Sequence, residues 1–272
     1  MLVDEHSGAQ PDGELLVSWE PRPGNPFHGS LLRTGSGYAF WASDAGWYLI
    51  DPAEPSIRVA PGGDLLRREL RLFGVPTAVC AFEHGDISVH ASAVEIDGLG
   101  VLIAGPSMYG KTTLAAAFAR SGHRLLSEDT TRCDVLTTAI YPGPAVLRLR
   151  SDVADSIVVP GARRVTSQDD GRVPLLFDER HRRGGGPVPL RAILILREPS
   201  SGQRLESVNA IQATRDVMAL AFRVPGAGSL ETSFGRIVDL TARTETLYLH
   251  RPLTLESLDA VVAMVARHVT SS

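Results

Sequence analysis

Residues Gly105-Pro106-Ser107-Met108-Tyr109-Gly110-Lys111-Thr112 follow the pattern G-x-x-x-x-G-K-T, and a second hydroxyl follows at Thr113. A glycine-rich turn of this kind aims successive backbone N–H groups at phosphate oxygens, at the positive end of a helix. Gly105 and Gly110 permit the tight turn. Lys111 reaches toward the β- and γ-phosphates, and the Thr112 hydroxyl is a ligand for Mg²⁺. The expected ligands are therefore a nucleoside triphosphate and Mg²⁺. Of the 27 basic residues 26 are arginine, and the one lysine is Lys111. Arginine replaces lysine on most solvated surfaces, but fits badly where a compact ammonium must reach between phosphate oxygens.

Phosphate chemistry also needs an acid that holds Mg²⁺ or activates an acceptor. Glu128-Asp129, which follows the next apolar segment, is the candidate pair. If the pair ends a strand, the two carboxylates point to opposite sides, one toward metal and one toward acceptor. The competing reading is a solvated turn or a helix cap. His90 lies fifteen positions before Gly105; a lone histidine within a strand is more often structural than catalytic. Arg148, Arg150, Arg191 and Arg223 are candidate additional phosphate contacts, against a background in which most arginines are solvated surface.

These residues need elements to position them. Gly100–Ala104 reads as a buried strand entering the loop, and Thr112–Arg120 as an alanine-rich helix ended by Gly122. Ile87–Ile96 reads as one strand with His90 in its middle. Asp97-Gly98 is a hairpin turn, Leu125-Leu126 opens a short strand, and Leu190–Leu196 is another. Ala78–Phe82 also reads as a strand. Helical patterns cover Leu65–Phe73, about 210–223, about 230–242 and Thr254–Val269, with a strand at Thr246–Leu249. Arg163–Gly186 is mostly polar and ends Arg182-Arg183-Gly184-Gly185-Gly186, which reads as a mobile loop. Upstream, Leu15–Val59 carries short apolar runs broken by Gly and Pro, and all three tryptophans, which predicts a β-rich module. Residues 1–13 read as frayed, and Pro61-Gly62-Gly63-Asp64 as punctuation. The expected organisation is a β-rich N-terminal module over 1–76 and a P-loop core over 77–272, of α/β class.

A length of 272 residues, 43% hydrophobic and 21% charged residues and a net charge of −4 describe a globular chain without a basic field. They argue against nucleic acid as partner. No run approaches the ~18 apolar residues of a membrane span, and the first residues lack a signal-peptide pattern. Cys80 and Cys133 have no metal or disulfide spacing, consistent with thiols in a reducing cytoplasm.

The motifs together resemble the HPr kinase/phosphorylase superfamily, whose core is related to phosphoenolpyruvate carboxykinase. The likeness runs through His90-Ala91-Ser92-Ala93-Val94, Asp97-Gly98, the strand Gly100–Ala104, the phosphate loop, and Gly122–Asp129; it extends more weakly through Tyr248–Thr254 and the helix after it. It is strong over 87–135 and weak over 150–185. It implies a mixed β-sheet with helices and an ATP-dependent transfer to a serine hydroxyl. In the similar proteins encoded with ribosomal peptide natural products, such as lasso peptides, that serine lies on a precursor peptide. The resemblance makes His90 a residue beside the phosphates, Glu128 the base for the acceptor and Asp129 a Mg²⁺ ligand. Two departures stand out: Glu128 replaces an aspartate, and Met108-Tyr109 replace small residues, so that Tyr109 either covers the nucleotide or crowds the site. Relatives assemble, which leaves a homo-oligomer open, although no coiled-coil repeat is present. A small-molecule kinase, a phosphorylase and a nucleotide-sensing module without catalysis are the alternatives.

Overall fold

The structure is a computed structural model that describes residues 10–21, 27–54, 56–60, 64–165, 171–178, 186–226 and 229–271. Most of the frayed segment, Pro61-Gly62-Gly63 and most of the arginine-glycine loop (179–185) lie outside the described residues.

Contacts divide the chain into two compact units: Met1–Asp86 with Arg223–Thr232, and Ile87–Phe222 with Ser233–Ser272. The first carries five strands, β1 (Glu14–Trp19), β2 (Gly29–Thr34), β3 (Gly37–Ala42), β4 (Gly46–Asp51) and β5 (Ser56–Val59). They form one antiparallel meander in chain order, so the expected β-rich module is observed. Two helices follow, α1 (Leu65–Leu72) and α2 (Val75–Glu83). Asp64 caps α1 by accepting from the Arg67 N–H at 2.8 Å. Ala78–Phe82, expected as a strand, lies within α2. Pro76 sits in the first turn of that helix, and Ala78, Val79 and Ala81 are buried. A short apolar run does not distinguish a strand from a buried helix, and the preceding Gly-Val-Pro decides for the helix.

The second unit holds β6 (Ile87–Val89), β7 (Ala91–Ile96), β8 (Leu99–Ala104), α3 (Lys111–Arg120), β9 (Arg124–Ser127), β10 (Thr131–Asp134) and β11 (Ala139–Tyr141). It continues with β12 (Val146–Arg150), α4 (Ser151–Ala154), β13 (Ala162–Arg164), β14 (Arg172–Phe177), β15 (Val188–Leu196), β16 (Arg204–Ser207) and α5 (Ala210–Leu220). Then come α6 (Ser229–Arg243), whose first four residues are counted with the first unit, β17 (Glu245–His250) and α7 (Leu258–Ser271). The main sheet is mixed, ordered β6-β10-β11-β15-β8-β7-β9, with β17 beside β15 and β16 beside β17. β8, β15 and β17 run parallel, and β7 turns antiparallel onto β8. Ile96 pairs with Leu99 across Asp97 (φ 49°) and Gly98 (φ 83°), so the two-residue hairpin stands as expected.

β8 is buried on both faces, which is why it reads as a continuous apolar run. Val101 and Ile103 pack with Leu194, Leu249, α3 and α7; Leu102 and Ala104 pack on the other face with Ile193, Ile195, Val217 and Ile237. Helix α3 lies in the first of these layers, with Leu114 and Phe118 fully buried. The polar stretch after Arg150 conceals a third sheet, ordered β12-β14-β13, whose Leu147, Leu149, Val173, Leu175 and Phe177 join the same layer. Phe118 is a fully buried core residue of α3, the helix that starts at the phosphate loop. Phe118→Ala is expected to lower stability by about 3–5 kcal/mol, the usual cost of an aromatic truncation in a core, read as a lower urea midpoint in far-UV circular dichroism.

Candidate functional site

The strand β8 delivers the chain to Gly105, whose backbone sits at φ 145°; a Cβ there would lie 3.1–3.3 Å from Leu196. Met108 (φ 71°) and Gly110 (φ 79°) then take left-handed conformations. Gly110 stands at the N-cap of α3 without a side-chain cap bond, and the first turn carries no acidic side chain. A helix start of this kind presents N–H donors and a positive dipole end to an anion. Lys111 is 8% exposed, and its Nζ donates to the carbonyls of Gly105 at 2.8 Å and Pro106 at 3.2 Å. Burial pulls its pKa down, while Asp129 and Glu128 act to raise it.

The carboxylate pair sits just past the end of β9. Strand β9 pairs with β7 through a register shift between Ala93 and Val94. A buried brace holds the turn, with Ser127 Oγ 2.5 Å from Thr131 Oγ1, which donates to the Ala91 carbonyl at 2.9 Å. Strand alternation does not extend to the pair, because Asp129 is left-handed at φ 67°. The two carboxylates therefore do not diverge as expected. Both meet one guanidinium: Arg148 Nε donates to Glu128 Oε2 at 3.3 Å, and its Nη2 donates to Asp129 Oδ2 at 3.2 Å. The Thr112 hydroxyl donates to Glu128 Oε1 at 3.2 Å.

His90 is not mid-strand. The chain breaks there between β6, which pairs with β10, and β7, which pairs with β8. The His90 N–H bonds the Leu220 carbonyl at 2.8 Å. Its Nδ1 lies 2.9 Å from the Asp129 carbonyl and 3.3 Å from Asp129 Oδ1.

These groups surround a cleft of about 450 Å³. His90, Ser107, Met108, Gly110, Lys111, Thr112, Thr113 and Asp129 line it, together with Arg148, Arg150, Arg172 and Arg251. Of the four arginines flagged from sequence, Arg148 and Arg150 belong to the cleft. Arg191 pairs with Glu245 at 3.2 Å, and Arg223 is not on the cleft wall. Arg172 and Arg251 were missed; β14 and the segment after β17 bring them in. Tyr109 does not cover the cleft: its side chain packs against the core layer of α3 and α7. Met108, 67% exposed, faces the cleft instead. Glu128 lies behind the wall with a side chain 6% exposed, whereas that of Asp129 is 48% exposed. Burial raises the Glu128 pKa, with the Asp129 charge adding to the rise and Arg148 opposing it.

Oxygen donors from Thr112 and Glu128, 3.2 Å apart, with Asp129 adjacent, are the hard donor set that Mg²⁺ prefers. Among the described residues no group of three or more His, Cys, Asp and Glu forms a protein-only metal cage. Among the described residues no helix is long and apolar enough to cross a membrane, and the cysteines form no disulfide.

Strand, left-handed loop, helix and paired carboxylates define a mixed α/β P-loop fold. No family model matches the chain. Curated relatives do: it is 40% identical over 65 residues to the HPr kinase/phosphorylase of Lactobacillus acidophilus, covering 22% of this chain and 20% of that protein. It is 44% identical over 64 residues to that of Lactiplantibacillus plantarum and 41% identical over 63 residues to that of Listeria monocytogenes, with the same coverage. Over that stretch the chain is HPr kinase-like, and the stretch spans about a fifth of the length of those relatives. Among solved structures, the Hpr(Ser) kinase/phosphatase from Coxiella burnetii overlaps 68% of this chain and 97% of its own, at 15% identity and a TM-score of 0.36. That overlap stands as a likeness only.

The Glu128 shift has a sign that can be measured. A carboxyl whose folded pKa lies above its ordinary value, near 4.5, binds more protons folded than unfolded. Its contribution to stability is present below pH 4.5 and is lost as pH rises through the folded value. A glutamine does not titrate, so the melting temperature of Glu128→Gln minus that of wild type should climb between pH 4.5 and neutrality. A flat difference in scanning calorimetry would remove the raised pKa. At Gly110 a Cβ would meet Arg251 Nη2 at 2.5 Å. Gly110→Ala also forces a side chain into φ 79°, and should cost about 1–3 kcal/mol and abolish nucleotide-induced stabilisation in a thermal shift assay.

Proposed function

We propose that this protein is an ATP-dependent kinase that transfers a phosphoryl group to a serine hydroxyl of a peptide or protein substrate, such as a natural-product precursor peptide. One observation carries the reading. Lys111 and Thr112 at the start of α3 share a cleft with Asp129, and Arg148 fastens Asp129 to the enclosed Glu128 behind the wall. Phosphoryl transfer depends on positioning and on stabilisation of charge, and those parts supply both. Bound ATP-Mg²⁺ would supply the transferable phosphoryl group and its charge-neutralising cation. The loop N–H groups and Lys111 orient the phosphates. The likeness to HPr kinase/phosphorylase over a fifth of that protein's length supports the class of reaction.

The two carboxylates divide the work by where they lie. Glu128 touches the Thr112 hydroxyl and is enclosed, which suits the metal side. Asp129 is exposed to the cleft and is oriented by His90 and Arg148, which suits accepting the proton of an incoming hydroxyl. This reverses the roles that the family resemblance assigns. With labelled ATP and serine-bearing peptides, Asp129→Asn should lower transfer by at least about 100-fold with MgATP affinity nearly unchanged. Glu128→Gln should instead raise the Mg²⁺ concentration needed for MgATP binding, measured by calorimetry. Lys111→Ala should weaken binding and transfer together. MgATP binding without transfer to any hydroxyl acceptor would leave a nucleotide sensor as the function.

A further inference from the structure

Arg251 has an unusual position for an arginine. It follows β17, is 4% exposed, and still lines the cleft. Its Nη2 donates to the carbonyls of Tyr109 at 3.1 Å and Gly110 at 3.4 Å, and its Nη1 donates to the Pro252 carbonyl at 3.2 Å. Those acceptors are neutral. Two other cations of the cleft differ: Arg148 pairs with Glu128 and Asp129, and Lys111 is under the influence of both carboxylates. Among the described residues no carboxylate pairs with Arg251, and burial alone pushes its pKa down. A guanidinium taken out of water without a counter-charge is destabilising. Three carbonyls offset part of its desolvation, a negative charge would offset more, and the part of the site it touches is the phosphate loop.

We propose that Arg251 is a nucleotide-binding residue, whose counter-charge is the phosphate chain of the bound nucleotide and whose guanidinium sets the Tyr109-Gly110 carbonyls in place for it. The inference rests on the P-loop reading above and adds a cation from the far end of the chain to that site. Because Arg251 leads into the Pro252–Thr254 segment before α7, it ties phosphate occupancy to the C-terminal part of the fold. A purely structural tether would be needed equally with and without ligand. A phosphate partner costs stability when the site is empty and contributes when it is filled.

The test compares wild type with Arg251→Gln, Arg251→Met and Arg251→Lys, using MgATP and inorganic triphosphate as probes. Gln keeps a donor for the loop carbonyls and lacks the charge. The expected result is a ligand-free melting temperature for Gln no lower than that of wild type, with affinity for both probes reduced at least 30-fold. Lys should recover at least a third of that loss on a logarithmic scale. Binding by Gln or Met within threefold of wild type overturns the inference. So does a loss confined to MgATP and absent for inorganic triphosphate, which would place Arg251 on the base or ribose. A fall in ligand-free melting temperature with unchanged affinity marks a tether and also overturns it. If Met does not fold, Gln and Lys decide. Wild type that binds neither probe refutes the P-loop reading instead, and so is distinct from failure of the role given to Arg251.

Discussion

Two adjacent carboxylates beside a phosphate-binding loop repel each other and would repel the ligand. Arg148 makes the arrangement tenable. Its planar fork reaches Glu128 with one nitrogen and Asp129 with another, a geometry an ammonium cannot reproduce. Fixing both acids to one cation also fixes their separation from Thr112, whose hydroxyl meets Glu128. Lys111, at the start of α3, adds a second cation whose charge the pair influences. Removing Arg148 would leave Glu128 buried beside a like charge, the condition under which a carboxylate takes up a proton.

That fork explains the small sheet of β12, β14 and β13. Strand β12 must place Arg148 over the turn after β9, and β14 pairs with it along Val146–Arg150. Its apolar residues alternate into the layer that holds α3, so the helix that starts at the phosphate loop and the strand that carries the fork share one core. The β8–α3 unit provides the anion site, and the three-stranded sheet provides the charge that lets acids stand next to it. Met108, Gly110 and Asp129 all occupy left-handed backbone around the same cleft. Such conformations persist where the surrounding packing determines them.

Much of this was legible in the sequence. The loop, the strand before it, the helix after it, the Asp97-Gly98 hairpin and the proximity of Glu128-Asp129 all follow from local rules: glycine spacing, hydrophobic periodicity and turn chemistry. The β-rich character of the first module followed from its interrupted apolar runs. The failures have a common cause, which is that tertiary pairing decided them. Ala78–Phe82 is apolar enough for either state, and its neighbours made it helical. Ile87–Ile96 has an unbroken strand pattern, yet His90 is where the chain changes partners from β10 to β8. Val146–Arg150 and Arg172–Phe177 are short strands inside an arginine-rich stretch, where charge masks a period of two. With them went the places of Arg172 and, from beyond β17, Arg251. Nothing local distinguishes those arginines from the many on the surface.

The composition bias becomes informative once the geometry is known. In a chain that uses arginine for 26 of its 27 basic residues, the exception sits where its ammonium is enclosed by the carbonyls of its own loop, at 2.8 and 3.2 Å. A guanidinium is planar and wide, and its five donors cannot all be met by two carbonyls at the floor of a tight turn. Arg251 approaches the same loop from outside, where Gly110 leaves room for its edge and three carbonyls receive it. Arg148, from β12, meets two carboxylates. The three cations are therefore not interchangeable: the size of the space and the kind of acceptor in each place dictate an ammonium in the loop and guanidinium groups around it.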